Sequence, residues 1–205
     1  MEPRKLLIAG CEGHASTCRA LIDPESFMFI GYILENGAEA KPDIEGKVFY
    51  DSQIPELVKD GYVFHCGIGH IKSSQARRKV MTAINSSNGM LINLISSASL
   101  VLTRIKDDQG LTICANAYVG PNSSLGFGTI INTGAIIEHG VSVESYCHIS
   151  TGAILNGDVR VGSGSFVGSG VVVKEGIKIG NDAIIQAGCF VRKDVKSGEV
   201  LLNVP

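Results

Sequence analysis

Residues Ile113 to Lys196 read in sixes as ICANAY, VGPNSS, LGFGTI, INTGAI, IEHGVS, VESYCH, ISTGAI, LNGDVR, VGSGSF, VGSGVV, VKEGIK, IGNDAI, IQAGCF and VRKDVK. The first position of all fourteen hexads is Ile, Val or Leu, and the fifth is always small or β-branched. Two positions in every six therefore look inward. The fourth position is Gly, Asn or Asp in thirteen of the fourteen, with Tyr146 the exception. Those residue types accept the positive φ of a tight corner. A six-residue period suits neither a 3.6-residue helix nor a two-residue alternation. It suits a parallel β-helix, in which each repeat buries its apolar residue by stacking on the coil beneath.

The pattern resembles the left-handed parallel β-helix of hexapeptide-repeat acyltransferases, in which three hexads make one triangular coil. Fourteen hexads then imply between four and five coils. In that family the coils of three subunits meet and place active sites between them. The repeat alone names an architecture rather than an activity.

The whole chain has 205 residues, with Lys+Arg 18 against Asp+Glu 20 and a formal net charge of −2. No block of like charge marks a nucleic-acid surface or an anionic membrane as partner. The opening MEPRK leads only into the short apolar run Leu6 to Ala9, too brief for a signal core or a membrane span. A cytoplasmic location is the expectation. Six cysteines (Cys11, Cys18, Cys66, Cys114, Cys147, Cys189) show no CxxC pairing and no ligand spacing with histidines, so no metal is expected. Cys147 and Cys189 hold fifth hexad positions and read as buried, reduced thiols.

Ahead of the hexads, strands alternate with helices. KLLIAG reads as a buried strand, followed by a loop from Gly10 to His14 and a helix from about Ala15. FMFIGYIL ends a second strand at Glu35. A loop with Gly37, Pro42 and Gly46 leads to a short helix near Ile54 to Lys59. A strand at Tyr62 to Cys66, the loop GIGH, a charged helix over about Lys72 to Asn85 and a strand MLINLI from Met90 complete the series. This order predicts an α/β domain with a small parallel sheet, a Rossmann-like half-unit over residues 1–96. The β-helix domain takes residues 97–205, with a polar linker at about 97–112. Ligands of such sheets sit beyond the strands' carboxyl ends, where glycine admits the backbone and a helix N-terminus offers N–H groups. GCEGH and GIGH are the two loops that qualify. Neither is GxGxxG, and the domain is too short for a two-halved dinucleotide fold. His14 adds a titratable group suited to a phosphate or sugar hydroxyl.

Within the β-helix, chemistry should show where the repeat departs from its small-residue rule. IEHGVS and VESYCH carry Glu138, His139, Glu144, Tyr146 and His148, which include the only histidines of the hexad region. Acyl transfer from a thioester needs a general base for the attacking amine or hydroxyl, and donors for the oxyanion. A histidine meets the first need and backbone N–H groups at glycine corners the second. With no Ser-His-Asp arrangement and no GxSxG, direct attack without a covalent enzyme intermediate is expected.

GCEGH, GIGH, INLI, NTGAIIEHG and CHISTGAILNG together resemble the sugar acetyltransferases of bacterial glycan synthesis. That family includes UDP-4-amino-sugar N-acetyltransferases of bacillosamine synthesis, perosamine N-acetyltransferases and sialic acid O-acetyltransferases. The resemblance implies acetyl-CoA as co-substrate, a nucleotide-linked amino sugar as acceptor, and a homotrimer. By position, His139 resembles the family's catalytic base and His148 the histidine that contacts acetyl-CoA. Ser169 and Ala187 match later coils lining the CoA groove. Glu12, Gly13 and His14 resemble the nucleotide-sugar loop, with Gly69 on the second loop, while Glu35 and Asn36 stand where acidic residues approach the nucleotide. Bacillosamine-type enzymes follow the base with a carboxylate, but here Gly140 follows His139. Glu138, Glu144 or a neighbouring subunit would have to supply that charge. The chain stops at LLNVP, near where family members carry a further basic tail. The expected activity is N-acetylation of a nucleotide-linked 4-amino sugar. O-acetylation of a sialic-type sugar and an inactive scaffold or nucleotide-sugar-binding protein are the alternatives.

Overall fold

The computed structural model describes residues 2–39 and 44–202. Pro42 of the expected loop and Asn203 to Pro205 of the LLNVP end lie outside the described residues. The chain forms two compact units: residues 1–69, 75–94 and 107–110 make the first, and residues 70–74, 95–106 and 111–205 the second.

In the first unit the elements are β1 (Arg4–Ala9), α1 (Gly13–Ala20), β2 (Phe27–Leu34), β3 (Lys47–Tyr50), α2 (Ile54–Lys59), β4 (Val63–Cys66) and α3 (Gln75–Ser86). The four strands are parallel in the order β3-β2-β1-β4. Leu6, Leu7, Ile8 and Ala9 are all buried, so β1 is covered on both faces, as a central parallel strand must be. Lys47–Tyr50 is a strand where the sequence reads as loop. Four residues without alternation give too little signal, and the pairing rests on Gly31, where any Cβ would collide with the Lys47 backbone. Conversely, MLINLI does not run as one strand. Leu91 makes a single bridge to Phe64, and a two-residue strand follows at Leu94–Ile95.

The second unit is built of two-residue strands in parallel sheets that form three faces. The first face stacks Thr112–Ile113, Ile130–Ile131, His148–Ile149, Phe166–Val167, Ile184–Ile185 and Val200–Leu201. The second stacks Leu100–Val101, Tyr118–Val119, Ile136–Ile137, Ile154–Leu155, Val172–Val173 and Phe190–Val191. The third stacks Ser124–Leu125, Ser142–Val143, Arg160–Val161 and Lys178–Ile179. Partners such as Ile136 and Ile154 are one coil apart, so three hexads close each coil. The hexads' first and fifth positions form one continuous core, from Ile113 through Ile149 to Val195. Where the fifth residue is polar its hydroxyl is bonded: Thr129 Oγ1 donates to Glu144 O at 2.9 Å and Ser165 Oγ to Gly180 O at 2.7 Å. Tyr146 adopts φ 59° like the glycines at its position. The corner's own bond, Tyr146 N–H to Phe127 O at 2.7 Å, imposes that geometry against a local preference of roughly 1–2 kcal/mol.

Candidate active site

In the first unit, glycine brings the two ligand-type loops together. A Cβ at Gly10 would lie 2.7 Å from Ile68 Cγ1, one at Gly67 2.6 Å from Ile8 Cγ2, and one at Gly69 3.3 Å from His14 Cβ. GCEGH and GIGH are therefore neighbours at the carboxyl ends of β1 and β4. Beside them opens a cavity of about 870 Å³ lined by Gly10, Glu12, Glu35, Asn36, Asp51 and Lys79, among others. His14 and Gly69 belong to the loop contact rather than the lining, and Gly13 opens α1 with no heavy atom within 4 Å of its Cβ position. Asp51, Ser52 and Lys79 are additions that the sequence reading missed. Asp51 follows the unread strand β3, and Lys79 sits on a helix otherwise notable only for its charge.

The cavity's polar groups are wired to one another. Lys79 Nζ lies 2.6 Å from Glu35 Oε1 and 3.9 Å from Asp51 Oδ2. Asn36 N–H donates to Asp51 Oδ1 at 3.2 Å, and Ser52 Oγ donates to Asn36 Oδ1 at 2.9 Å. The hydrogen bond and charge of Lys79 hold the Glu35 carboxyl below its usual range, and Glu35 in turn raises Lys79. Among the described residues, four carboxylates, those of Glu12, Glu35, Glu39 and Asp51, line this cavity with one cation, Lys79. Such a lining suits hydroxyl and N–H donors, a ribose or a base edge, better than a bare phosphate.

On the second unit, His139 and His148 occupy opposite environments. His148 is on the first face and 9% exposed. Its Nδ1 lies 2.8 Å from His70 O, and a carbonyl only accepts, so Nδ1 carries the proton. Nε2 lies 3.3 Å from Asn132 Nδ2, whose Oδ1 already accepts Thr133 N–H at 2.8 Å. Both ring nitrogens are thus engaged. Phe166 packs edge-on at 5.3 Å and His70 at 5.7 Å between ring centroids. His70 groups with this unit although it follows the GIG of the loop.

His139 sits at the corner between the second and third faces and is exposed. Its ring lies over Gly157 in the next coil, where a Cβ would stand 2.5 Å from Cε1, 2.8 Å from Nε2 and 3.2 Å from Nδ1. Gly157 is the only glycine at the third hexad position, and the imidazole's seat requires it. Gly140 has φ +69°, and a Cβ there would strike the Asp158 carboxylate. A carboxylate therefore does stand beside the residue after His139, contributed by the neighbouring coil. Glu138 shares the His139 corner. Glu144 lies at the far end of the Ser142–Val143 strand, where its Oε2 accepts Ser163 N–H at 3.1 Å.

Ser169 and Ala187 stack on the corner between the first and second faces, with Gly188 N–H donating to Ser169 O at 2.9 Å. Ser150, two residues after His148, places its hydroxyl 3.0 Å from that of Ser169. One chain thus gathers His148, Ser169 and Ala187 on one side and leaves His139, at another corner, apart from them. Burial raises the Cys114 and Cys189 thiols. Among the described residues no three His, Cys, Asp or Glu side chains gather as a metal site would require. No helix there is long and apolar enough to cross a membrane.

Known proteins share the repeat and the fold. The family model for bacterial transferase hexapeptide (six repeats) matches residues 158–193. PerB from Caulobacter crescentus, solved with CoA and GDP-perosamine, is 26% identical with a TM-score of 0.82, covering 96% of this chain and 92% of that one. A variant of GDP-perosamine N-acetyl transferase from Caulobacter crescentus, also with CoA and GDP-perosamine, is 25% identical with a TM-score of 0.84, over 96% and 92%. The acetyltransferase domain of PglB from Neisseria gonorrhoeae, with acetyl coenzyme A, is 21% identical with a TM-score of 0.83, over 97% and 95%. Repeat and architecture are those of the hexapeptide-repeat acyltransferases. Over nearly its whole length the chain is similar to the sugar acetyltransferases solved from Caulobacter crescentus and Neisseria gonorrhoeae.

Proposed function

We propose that this protein is an acetyl-CoA-dependent N-acetyltransferase acting on the amino group of a nucleotide-linked 4-amino sugar in the bacterial cytoplasm. The first domain, residues 1–96 and Rossmann-like, holds the nucleotide-linked sugar. The second, residues 97–205, is a left-handed β-helix that holds the acyl donor. The observation that carries this reading is the contrast between the histidines: His139 offers an exposed ring seated on Gly157, while both ring nitrogens of buried His148 are engaged. The likeness to proteins solved with CoA and GDP-perosamine supports the substrate class.

In this mechanism His139 takes a proton from the amine as its nitrogen attacks the thioester carbonyl. Backbone N–H groups at the glycine corners hold the oxyanion. The C–S bond then breaks, the imidazolium returns the proton to the departing thiolate, and His148 positions the acetyl end of the donor. Since His139 lies at the corner between the second and third faces and His148 on the first face of one chain, a site using both takes the second from a neighbouring copy. The outward residues of the second face, Leu100, Tyr118, Ile136, Ile154, Val172 and Phe190, form an apolar ladder that supports such packing. Its ends are well exposed, Leu100 at 54% and Phe190 at 59%. A homotrimer buries this ladder and forms three sites between subunits.

The test is acetyl transfer from acetyl-CoA to UDP-, dTDP- and GDP-linked 4-amino sugars and to free sialic acid, followed by mass spectrometry. One nucleotide-linked amine should be acetylated, and His139→Ala should lower turnover about a hundredfold or more with the fold intact. Product on free sialic acid alone would replace this reading with O-acetylation, and a fully active His139→Ala would remove the base.

A further inference from the structure

The three faces of the β-helix do not present the same chemistry. Outward positions of the first two are predominantly apolar, whereas the third presents Ser124, Ser142, Arg160 and Lys178 on successive rungs. The line ends there, because Val195 bridges Ile179 and sets Asp194, not Lys196, opposite Lys178. Arg160 and Lys178 are direct partners in the parallel register. Their strands are therefore about 4.8 Å apart. Like charges directly opposite one another destabilise a sheet, and neither side chain forms an ion pair among the described residues.

These two cations border a hollow of about 570 Å³, whose lining also includes Gly140, Ser142, Glu144 and Asn181. Two of the nearby carboxylates accept backbone N–H groups, and a third, that of Asp158, stands beside Gly140 at the rim. Glu144 Oε2 accepts Ser163 N–H at 3.1 Å, and Asp194 Oδ1 accepts the Lys178 backbone N–H at 2.8 Å. Ser124 and Ser142 place their hydroxyls 3.2 Å apart. The strip thus runs from two hydroxyls to two unpaired cations, and its rim includes Gly140, the residue after His139.

We propose that this third-face hollow is a phosphate-binding site, with Arg160 and Lys178 holding the phosphate groups of a ligand whose reacting end lies at the His139 corner. A guanidinium beside an ammonium on a flexible stem suits phosphate oxygens, the first as a bidentate donor and the second as a point charge. Two sources carry that chemistry: the 3′-phosphate and diphosphate of CoA, and the diphosphate of the nucleotide sugar. Among the described residues, the acid-lined cavity of the first unit shows no such cation pair. The ligand's identity rests on the acetyl-transfer reading; the site's charge does not.

Calorimetric titration of CoA, 3′-dephospho-CoA, pantetheine, UDP and GDP into the full chain, Arg160→Gln, Lys178→Gln and the double variant tests this. At low salt the double variant should bind at least one phosphate ligand about tenfold or more weakly, with pantetheine unmoved. Loss confined to CoA assigns the site to the acyl donor. Loss confined to UDP or GDP assigns it to the nucleotide. Dissociation constants within twofold of wild type for every ligand, with unchanged circular dichroism and melting, overturn the proposal, as does a wild type that binds none of the phosphates. No turnover is needed, so an inactive wild type that binds phosphates through this pair would sink the transferase reading alone.

Discussion

At the centre of the first unit lie a histidine and an arginine, both fully buried; the core of the second is aliphatic residues, alanine and cysteine, with small hydroxyls such as Thr129 and Ser165 bonded to backbone carbonyls. His65 and Arg77 are held by single-use bonds. His65 Nδ1–H donates to Ile92 O at 2.9 Å, and Arg77 Nη1 donates to Cys66 O at 2.9 Å and to Ile68 O at 2.8 Å. Arg77 Nη2 reaches Gly110 O at 3.5 Å. The second unit repeats one apolar contact coil after coil and needs no such anchor. A unit stabilised by unique polar bonds answers to pH and to single substitutions. A unit stabilised by repetition distributes its stability among neighbouring coils.

The largest effect that would break this contrast is acid unfolding. Burial pushes the His65 imidazole down to about 3, against the Ile92 hydrogen bond and with help from the Arg77 charge. The unfolded chain binds that proton near pH 6.5 and the folded one does not. Stability is therefore complete above about pH 6.5 and is lost as pH falls towards about 3, by up to about 5 kcal/mol. Urea unfolding at pH 5 should show the first unit about 2 kcal/mol weaker than at pH 7, with His65→Gln flattening the dependence. A first-unit transition that ignores pH over this range contradicts the assignment.

Arg77→Met comes next. It leaves the Cys66 and Ile68 carbonyls without their donor and should cost the first unit about 3 kcal/mol, read as an earlier denaturant midpoint with the second unit's transition unmoved. Within the second unit, Gly157→Ala should lower turnover roughly tenfold, because the methyl group displaces the His139 ring, while melting changes little. Equal loss of melting temperature and activity would make Gly157 a fold residue only. The smallest effect belongs to the first unit's cavity. Glu35→Gln should raise KM for the nucleotide sugar several-fold and leave KM for acetyl-CoA unchanged, since one charged acceptor becomes neutral.

Legibility followed the same division. The hexads showed the core, the corners and the coil, because a repeat states one physical requirement fourteen times over. Even Tyr146, the exception to the corner rule, takes the corner's backbone. The first unit states each requirement once. β3 hides in four residues, and the cavity residues Asp51 and Ser52 come from the turn after it while Lys79 comes from α3, two elements that only folding unites. The cation pair was open to reading at an eighteen-residue spacing, Arg160 and Lys178, once three hexads are taken as one coil.

The sequence by itself determined the β-helix, its inward positions and the two histidines that depart from the repeat, since periodicity and residue type are local properties of the chain. Only the tertiary structure decided what each departure touches. Stacking one coil on the next seats His139 on Gly157 and sets the Asp158 carboxylate over Gly140, while the segment from His70 fixes the His148 tautomer. Those contacts join residues eighteen or more positions apart, and no local pattern encodes which side chain meets which backbone across that distance.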